Sequence, residues 1–249
     1  MKNIYILAGI LLASAAHADI VPTLTETGGL STAFRQVARG YASYLDESIL
    51  PTSGGPVTIT GIQFRLYSDP ATNGVVGSSW PSSAINFSDF TVQIGRANSA
   101  WTSAGEFATL PTSFGGVFDG NQTVARTGAL TVGANSFTNN GTTTSAADWG
   151  FTVNFTNSYV YTPGQEIAYS IFHSGYGTSV AQPFFASADY GNNVADAVSI
   201  SGAATNATAP TGFSSPYVVK FITAAPVPEP ASLAVLGLGA VALLRRRRK

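Results

Sequence analysis

Trp149-Gly150-Phe151-Thr152-Val153-Asn154-Phe155-Thr156 changes character at every step. Trp149, Phe151, Val153 and Phe155 fall on one side, and Gly150, Thr152, Asn154 and Thr156 on the other. Successive side chains of a β-strand point to opposite faces, so this stretch reads as a strand with one buried face. Similar segments lie on both sides of it. Upstream, Phe90, Val92 and Ile94 oppose Asp89, Thr91 and Gln93. Downstream, Ile167, Tyr169 and Ile171 oppose Ala168, Ser170 and Phe172, which predicts a strand covered on both faces, and Tyr217 to Thr223 is similar with Lys220 as its polar break. Short period-2 segments separated by Gly, Pro, Asn and Ser clusters predict an all-β domain, an antiparallel β-sandwich of jelly-roll type.

Three stretches need more than alternation. In Val57 to Tyr67 the apolar phase changes, since Val57 and Ile59 are odd-numbered whereas Ile62, Phe64 and Leu66 are even, with Gly61 at the switch. A β-bulge there keeps all five side chains on one face. In Gln122 to Val132, Val124, Leu130 and Val132 are expected to share a face. Ser31 to Leu45 supports two readings: Phe34, Val37, Ala38, Tyr41 and Leu45 have near-helical spacing behind a Ser31 N-cap, yet Gly40 interrupts them. Ser136 to Ala147 and Ser201 to Ser215 lack apolar period and read as surface loops.

The chain has 249 residues, no Cys and 10% charged residues. That length supports one sizeable core without a disulfide or metal staple. The missing Cys excludes thiolate metal sites, cysteine nucleophiles and disulfides. The formal net charge of −1 hides a segregation, because Lys2 and Arg245 to Lys249 occupy the two ends. Residues 19–225 carry six cations (Arg35, Arg39, Arg65, Arg96, Arg126, Lys220) against 12 acids, an excess of six negative charges. Nucleic acid is therefore not an expected partner, since phosphate backbones demand a basic patch.

Residues 1–18 read as a signal peptide: Lys2 begins it, Ile4 to Ala16 forms the apolar stretch, and Ala16-His17-Ala18 supplies an A-x-A site for signal peptidase. Residues 19–225 form the ectodomain. Residues 226–249 contain Pro228-Glu229-Pro230, an uncharged run from Ala231 to Leu244, and Arg245-Arg246-Arg247-Arg248-Lys249. The uncharged run predicts a short transmembrane helix. As a helix it spans about 21 Å, short of a hydrocarbon core of about 30 Å. The cations hold the terminus on the cytoplasmic side and leave the preceding domain outside the inner membrane.

Pro-Glu-Pro, a short apolar run and an arginine-rich end, in that order, resemble the PEP-CTERM sorting signal. The resemblance implies recognition of Pro228, Glu229 and Pro230 by an exosortase-type enzyme, with Glu229 as a recognition residue in a substrate. It further implies an inner-membrane intermediate followed by delivery to the cell surface or exopolysaccharide matrix of a Gram-negative bacterium. Phe34 to Tyr41, Thr60 to Leu66, Trp80-Pro81, Thr127-Gly128-Ala129-Leu130 and Tyr161-Thr162-Pro163-Gly164 are similar to a recurring group of PEP-CTERM ectodomains, which implies a β-rich body and assigns no activity.

Candidate chemistry in the body is sparse. No G-x-S-x-G occurs, and His173 is the one histidine after residue 18, so no catalytic residue is assigned and His173 is expected to be a hydrogen-bonded structural residue. Asp46-Glu47 would point to opposite faces of a strand, and Asp89 with Glu166 could meet only in the fold; a glycosidase would need two such acids in one cleft. Asp189, Asn192, Asn193 and Asp196 offer oxygen ligands around Gly191 as a candidate calcium site, weighed against an Asx-rich turn. Asp119-Gly120-Asn121 reads as a turn. Trp80, Trp101, Tyr176 and Tyr190 are candidate sugar-contact aromatics, weighed against packing at the ends of the sandwich. The expectation is a non-enzymatic exported protein without a resident cofactor; the alternative is a carbohydrate-binding module, calcium-assisted.

Overall fold

A computed structural model describes residues 19–25, 28–30, 32–67, 79–98, 111–138, 147–188, 197–202 and 210–224. Fifteen strands occur in that part of the chain: β1 Gly28–Leu30, β2 Arg39–Leu45, β3 Val57–Arg65, β4 Ser79–Trp80, β5 Ile85–Phe87, β6 Phe90–Arg96, β7 Thr123–Arg126, β8 Leu130–Val132, β9 Phe137–Thr138, β10 Trp149–Tyr161, β11 Ile167–His173, β12 Phe185–Ser187, β13 Ala197–Gly202, β14 Pro210–Ser214 and β15 Val219–Thr223. All pair antiparallel. Six form one sheet in the order β14-β13-β2-β11-β6-β7, three form another in the order β10-β3-β15, and the pairs β1-β12, β4-β9 and β5-β8 complete the set.

The two larger sheets contribute to one hydrophobic cluster. Tyr41, Leu45, Val92, Ile94, Ile167, Tyr169 and Ile171 from the six-stranded sheet join Ile59, Ile62, Phe64, Val153, Val219 and Phe221 from the three-stranded one. Every residue of β11 is buried, because its other face is covered as well. There Ala168 and Phe172 pack with Ala42, Tyr44 and Ile200 beneath the 3₁₀ turn Phe114–Val117.

The phase change in β3 is accommodated as a bulge. Gly61 lies opposite Ile222 of β15, and Ile59 lies opposite the next residue, Thr223, so Thr60 is the extra residue. Ile59, Ile62, Phe64 and Leu66 are all fully buried and Val57 packs against the same cluster. Glycine fits at 61 because a Cβ there would stand 3.0 Å from Thr152 Cγ2 and 3.2 Å from the Val153 carbonyl. Strand β10 is bulged more heavily between Asn154 and Tyr159. In that stretch Thr156 Oγ1 and Asn157 Nδ2 donate to the carbonyls of Ala125 and Val124 at 3.1 and 2.9 Å, covering the exposed side of edge strand β7.

One open reading is settled and three expectations are corrected. Residues 32–45 are a 3₁₀ turn, Thr32–Phe34, followed by strand β2; pairing on both sides with β11 and β13 overrides the helical spacing. Ser136 to Ala147 is not wholly surface loop, since Phe137–Thr138 is strand β9 and Phe137 is fully buried. Val124 is 42% exposed whereas Leu130 and Val132 are buried, because Gly128 at φ 93° turns the chain and sends β7 and β8 into different sheets. Ser201 to Ser215 is not wholly loop: β14 pairs with β13 as an edge strand opening on Pro210, a position that needs no ladder N–H.

Among the described residues Phe34 meets six other aromatic rings. Its ring lies 5.1 to 6.2 Å from those of Phe64, Trp80, Phe87, Phe90, Phe137 and Phe185. Phe34→Ala is expected to lower unfolding stability by about 3 to 5 kcal/mol in chemical denaturation, and a loss below about 1 kcal/mol would contradict this role.

Candidate functional site

The aromatics proposed for sugar contact do not form a platform. Trp80 is 2% and Tyr176 8% exposed, and both belong to the main core. Trp80 Nε1 donates to the Ala181 carbonyl at 2.8 Å, Tyr176 Oη to the same oxygen at 3.3 Å, and the two rings meet edge-on at 6.0 Å. Their π faces are consumed by packing, which corrects the sugar-contact expectation for these two. Trp101, Tyr190 and the calcium candidates Asp189, Asn192, Asn193 and Asp196 lie outside the described residues. Among the described residues no group of three or more His, Asp or Glu comes together that could hold a metal ion.

His173 is 2% exposed, stacks on Phe90 and meets Phe87 edge-on. Its Nδ1 accepts from the Gly175 N–H at 3.1 Å, which places a lone pair there and suits a neutral ring. Asp89 and Glu166 stand at opposite ends of the β6–β11 pair, where Phe90 faces His173 and Arg96 faces Ile167. Each lies one residue beyond those pairs, so eight strand steps separate them by about 27 Å, beyond the reach of a two-carboxylate mechanism. A hollow of about 160 Å³ is lined by Arg96, Ala97, Asp119 and Glu166. Glu166 faces Arg96 at 3.9 Å, and Asp119 Oδ1 accepts from the Asn121 N–H at 3.0 Å in the expected turn. The hollow falls below the ~300 Å³ at which small-molecule sites begin.

Asp46 and Glu47 are not in a strand. Asp46 caps the 3₁₀ turn Glu47–Ile49, accepting from the Ser48 N–H at 2.9 Å and the Tyr44 hydroxyl at 2.5 Å. Burial pushes the Asp46 carboxyl up, but hydrogen bonds from Tyr44 and Ser48 together leave it below its ordinary value.

Sequence reasoning missed the junction where the described chain begins and ends. Ile20 is buried and pairs with Phe221 through two main-chain hydrogen bonds of 3.0 and 2.8 Å. Asp19 Oδ1 accepts from the Thr223 N–H at 3.1 Å, and Oδ2 lies 3.6 Å from Lys220 Nζ. Lys220 stands 5.5 Å over the half-buried Trp149 ring, with Arg65 at 5.2 Å. Asp19 and Ile20 thus fasten β15, the last strand, along its outer edge. The alternation that exposed the strands gave no signal here, because a two-residue contact has no period.

Residues 226–249 match the family model described as PEP-CTERM protein-sorting motif. The chain ends in a PEP-CTERM sorting motif. Such a motif implies an exported protein, processed by an exosortase-type enzyme and sorted to the cell envelope or surface of a Gram-negative bacterium. The comparisons with curated proteins and with solved structures yield no match. The recognition residues Pro228, Glu229, Pro230 and Arg245 to Arg248, and the cleavage residues Ala16 and Ala18, lie outside the described residues. Among the described residues no helix is long and apolar enough to cross a membrane.

Two outcomes follow from this geometry. Asp19→Ala is expected to cost about 1 kcal/mol and to speed amide exchange at Thr223, read by hydrogen exchange with mass spectrometry. Because the folded Asp46 carboxyl lies below its unfolded value of about 3.9, its contribution is complete above that pH and disappears as pH falls through the folded value. Asp46→Ala should therefore flatten the thermal midpoint against pH below about pH 4.

Proposed function

We propose that the protein is a non-enzymatic surface or extracellular-matrix protein, associated with exopolysaccharide, whose body is an antiparallel β-sandwich of jelly-roll type. The match of residues 226–249 to the PEP-CTERM motif carries the reading. Two features of the body support it. The two larger sheets share a core, as the layers of a sandwich do, and the polar clusters at hand are committed to structural bonds.

In this reading signal peptidase cuts after Ala18 and the mature chain begins at Asp19. The uncharged run Ala231 to Leu244 holds the intermediate in the inner membrane with Arg245 to Lys249 inside, and the exosortase-type enzyme reads Pro228-Glu229-Pro230 on the outer side. Prolines on both sides of Glu229 oppose helix and deny ladder N–H groups, chemistry that suits a tripeptide read as a linear signal. No resident cofactor is required. A carbohydrate-binding module built on stacking aromatics is the weaker alternative, since Trp80 and Tyr176 are packed inside.

Intact mass of fractionated cells tests the proposal. The surface pool should lack Arg245 to Lys249, and Glu229→Ala should accumulate in the inner membrane with its tail intact. Wild-type surface protein that retains the arginines, or full-length chain soluble inside the cell, would refute it.

A further inference from the structure

The segment that opens the body is fixed as firmly as a strand. Ile20 is 3% exposed, belongs to the main core and exchanges two main-chain hydrogen bonds with Phe221, of 3.0 and 2.8 Å. Pro22 is buried as well, whereas Asp19, Val21 and Thr23 are exposed, the alternation of an extended edge segment. Thr23 N–H then donates to the Ile49 carbonyl at 2.9 Å, and Leu24 packs against the core. Asp19 is tied through its side chain. Its Oδ1 takes the Thr223 N–H at 3.1 Å, its Oδ2 stands 3.6 Å from Lys220 Nζ, and Lys220 lies 5.5 Å from the Trp149 ring. These few residues are thus linked to β15 directly, to β10 through Lys220, and to the 3₁₀ turn Glu47–Ile49.

The bond between Ala18 and Asp19 lies one residue before Ile20, so about 3.5 Å of chain separates it from the locked main chain. A peptidase takes its substrate as an extended strand and pairs with the main-chain N–H and C=O groups around the scissile bond. In the closed body both groups of Ile20 are already bonded to Phe221. Cutting there needs local opening, and its rate falls with the fraction of molecules that are open. Opening draws Ile20 from the core and breaks the bonds of Asp19 to Thr223 and Lys220 together with the Ile20–Phe221 pair. During synthesis this obstacle is absent, because Asp19 and Thr223 are 204 residues apart in the chain. At about 5 to 20 residues per second, Thr223 is made about 10 to 40 s after Asp19.

We propose that this clasp fixes the order of maturation: removal of residues 1–18 precedes the pairing of Asp19 and Ile20 with β15, and a body that closes first shields its own cleavage site. The proposal rests on the reading, given above, that signal peptidase cuts after Ala18. In the cell the outer edge of β15 is sealed after the cut, by the residues that the cut has just set free.

The test is an order-of-addition experiment on the full chain in mild detergent, with purified signal peptidase and intact mass as the readout. Chain diluted from urea into buffer that already holds the enzyme should lose residues 1–18. Chain refolded first and then given the same enzyme should be cut at least about tenfold more slowly. Ile20→Gly removes the buried side chain, leaves Ala16 to Asp19 unchanged, and should abolish most of that protection. The wild-type comparison needs no variant, so it decides the matter even where Ile20→Gly unsettles the body. Fast cutting after Ala18 in both orders, or a refolded Ile20→Gly chain as well protected as wild type, would overturn this inference alone. No cutting after Ala18 in either order would overturn the signal-peptide reading and this inference with it.

Discussion

Packing around the Phe34 ring is the constraint on which most of the body depends. The ring comes from a short 3₁₀ turn and touches aromatic side chains from β3, β4, β5, β6, β9 and β12. Those strands belong to five different sheets, so one side chain ties together sheets that share no hydrogen-bonded ladder. The main chain is held there too, since Ala33 N–H donates to Tyr217 Oη at 2.8 Å and Tyr217 N–H donates to Tyr41 Oη at 3.0 Å. With no cysteine available, such dispersion-rich contacts do the cross-linking that disulfides often do in exported domains.

The strands that alternate cleanly were the legible ones. Phe90 to Arg96 lies inside a sheet with its alternating Phe90, Val92 and Ile94 in the core, Ile167 to His173 was legible as a strand covered on both faces, and the parity switch at Gly61 revealed a bulge. Arg39 to Leu45 was ambiguous for a physical reason: its two-sided burial removes the polar alternation that separates strand from helix. Pro210 to Ser214 was hidden for the opposite reason. An edge strand of Pro, Thr, Gly and Ser around one Phe carries no apolar stripe, and its pairing depends on β13 alone.

Function was legible at the C-terminal end and nearly silent in the body. Pro228-Glu229-Pro230, the apolar run and the arginines form a linear signal, so their order in the chain is the information. The aromatics Trp80 and Tyr176 misled because glycine- and serine-rich surroundings suggest exposure, while the fold draws both rings inward and satisfies their polar atoms on one carbonyl.

The fastening of Asp19 and Ile20 onto β15 joins the first and last described stretches of the body. The outer edge of the three-stranded sheet is closed by Ile20, so β15 does not present an open ladder for another chain. Its hydrogen bonding stops at Thr223, which Asp19 caps. Pro226, Pro228 and Pro230 follow, and none has an N–H with which to extend that ladder. Thr223 is thus the last paired residue among those described, and its strand is held by Asp19 and Ile20 as well as by β3. The last described strand is finished from within, by the first residues of the same body, so its outer edge needs no partner from elsewhere in the chain.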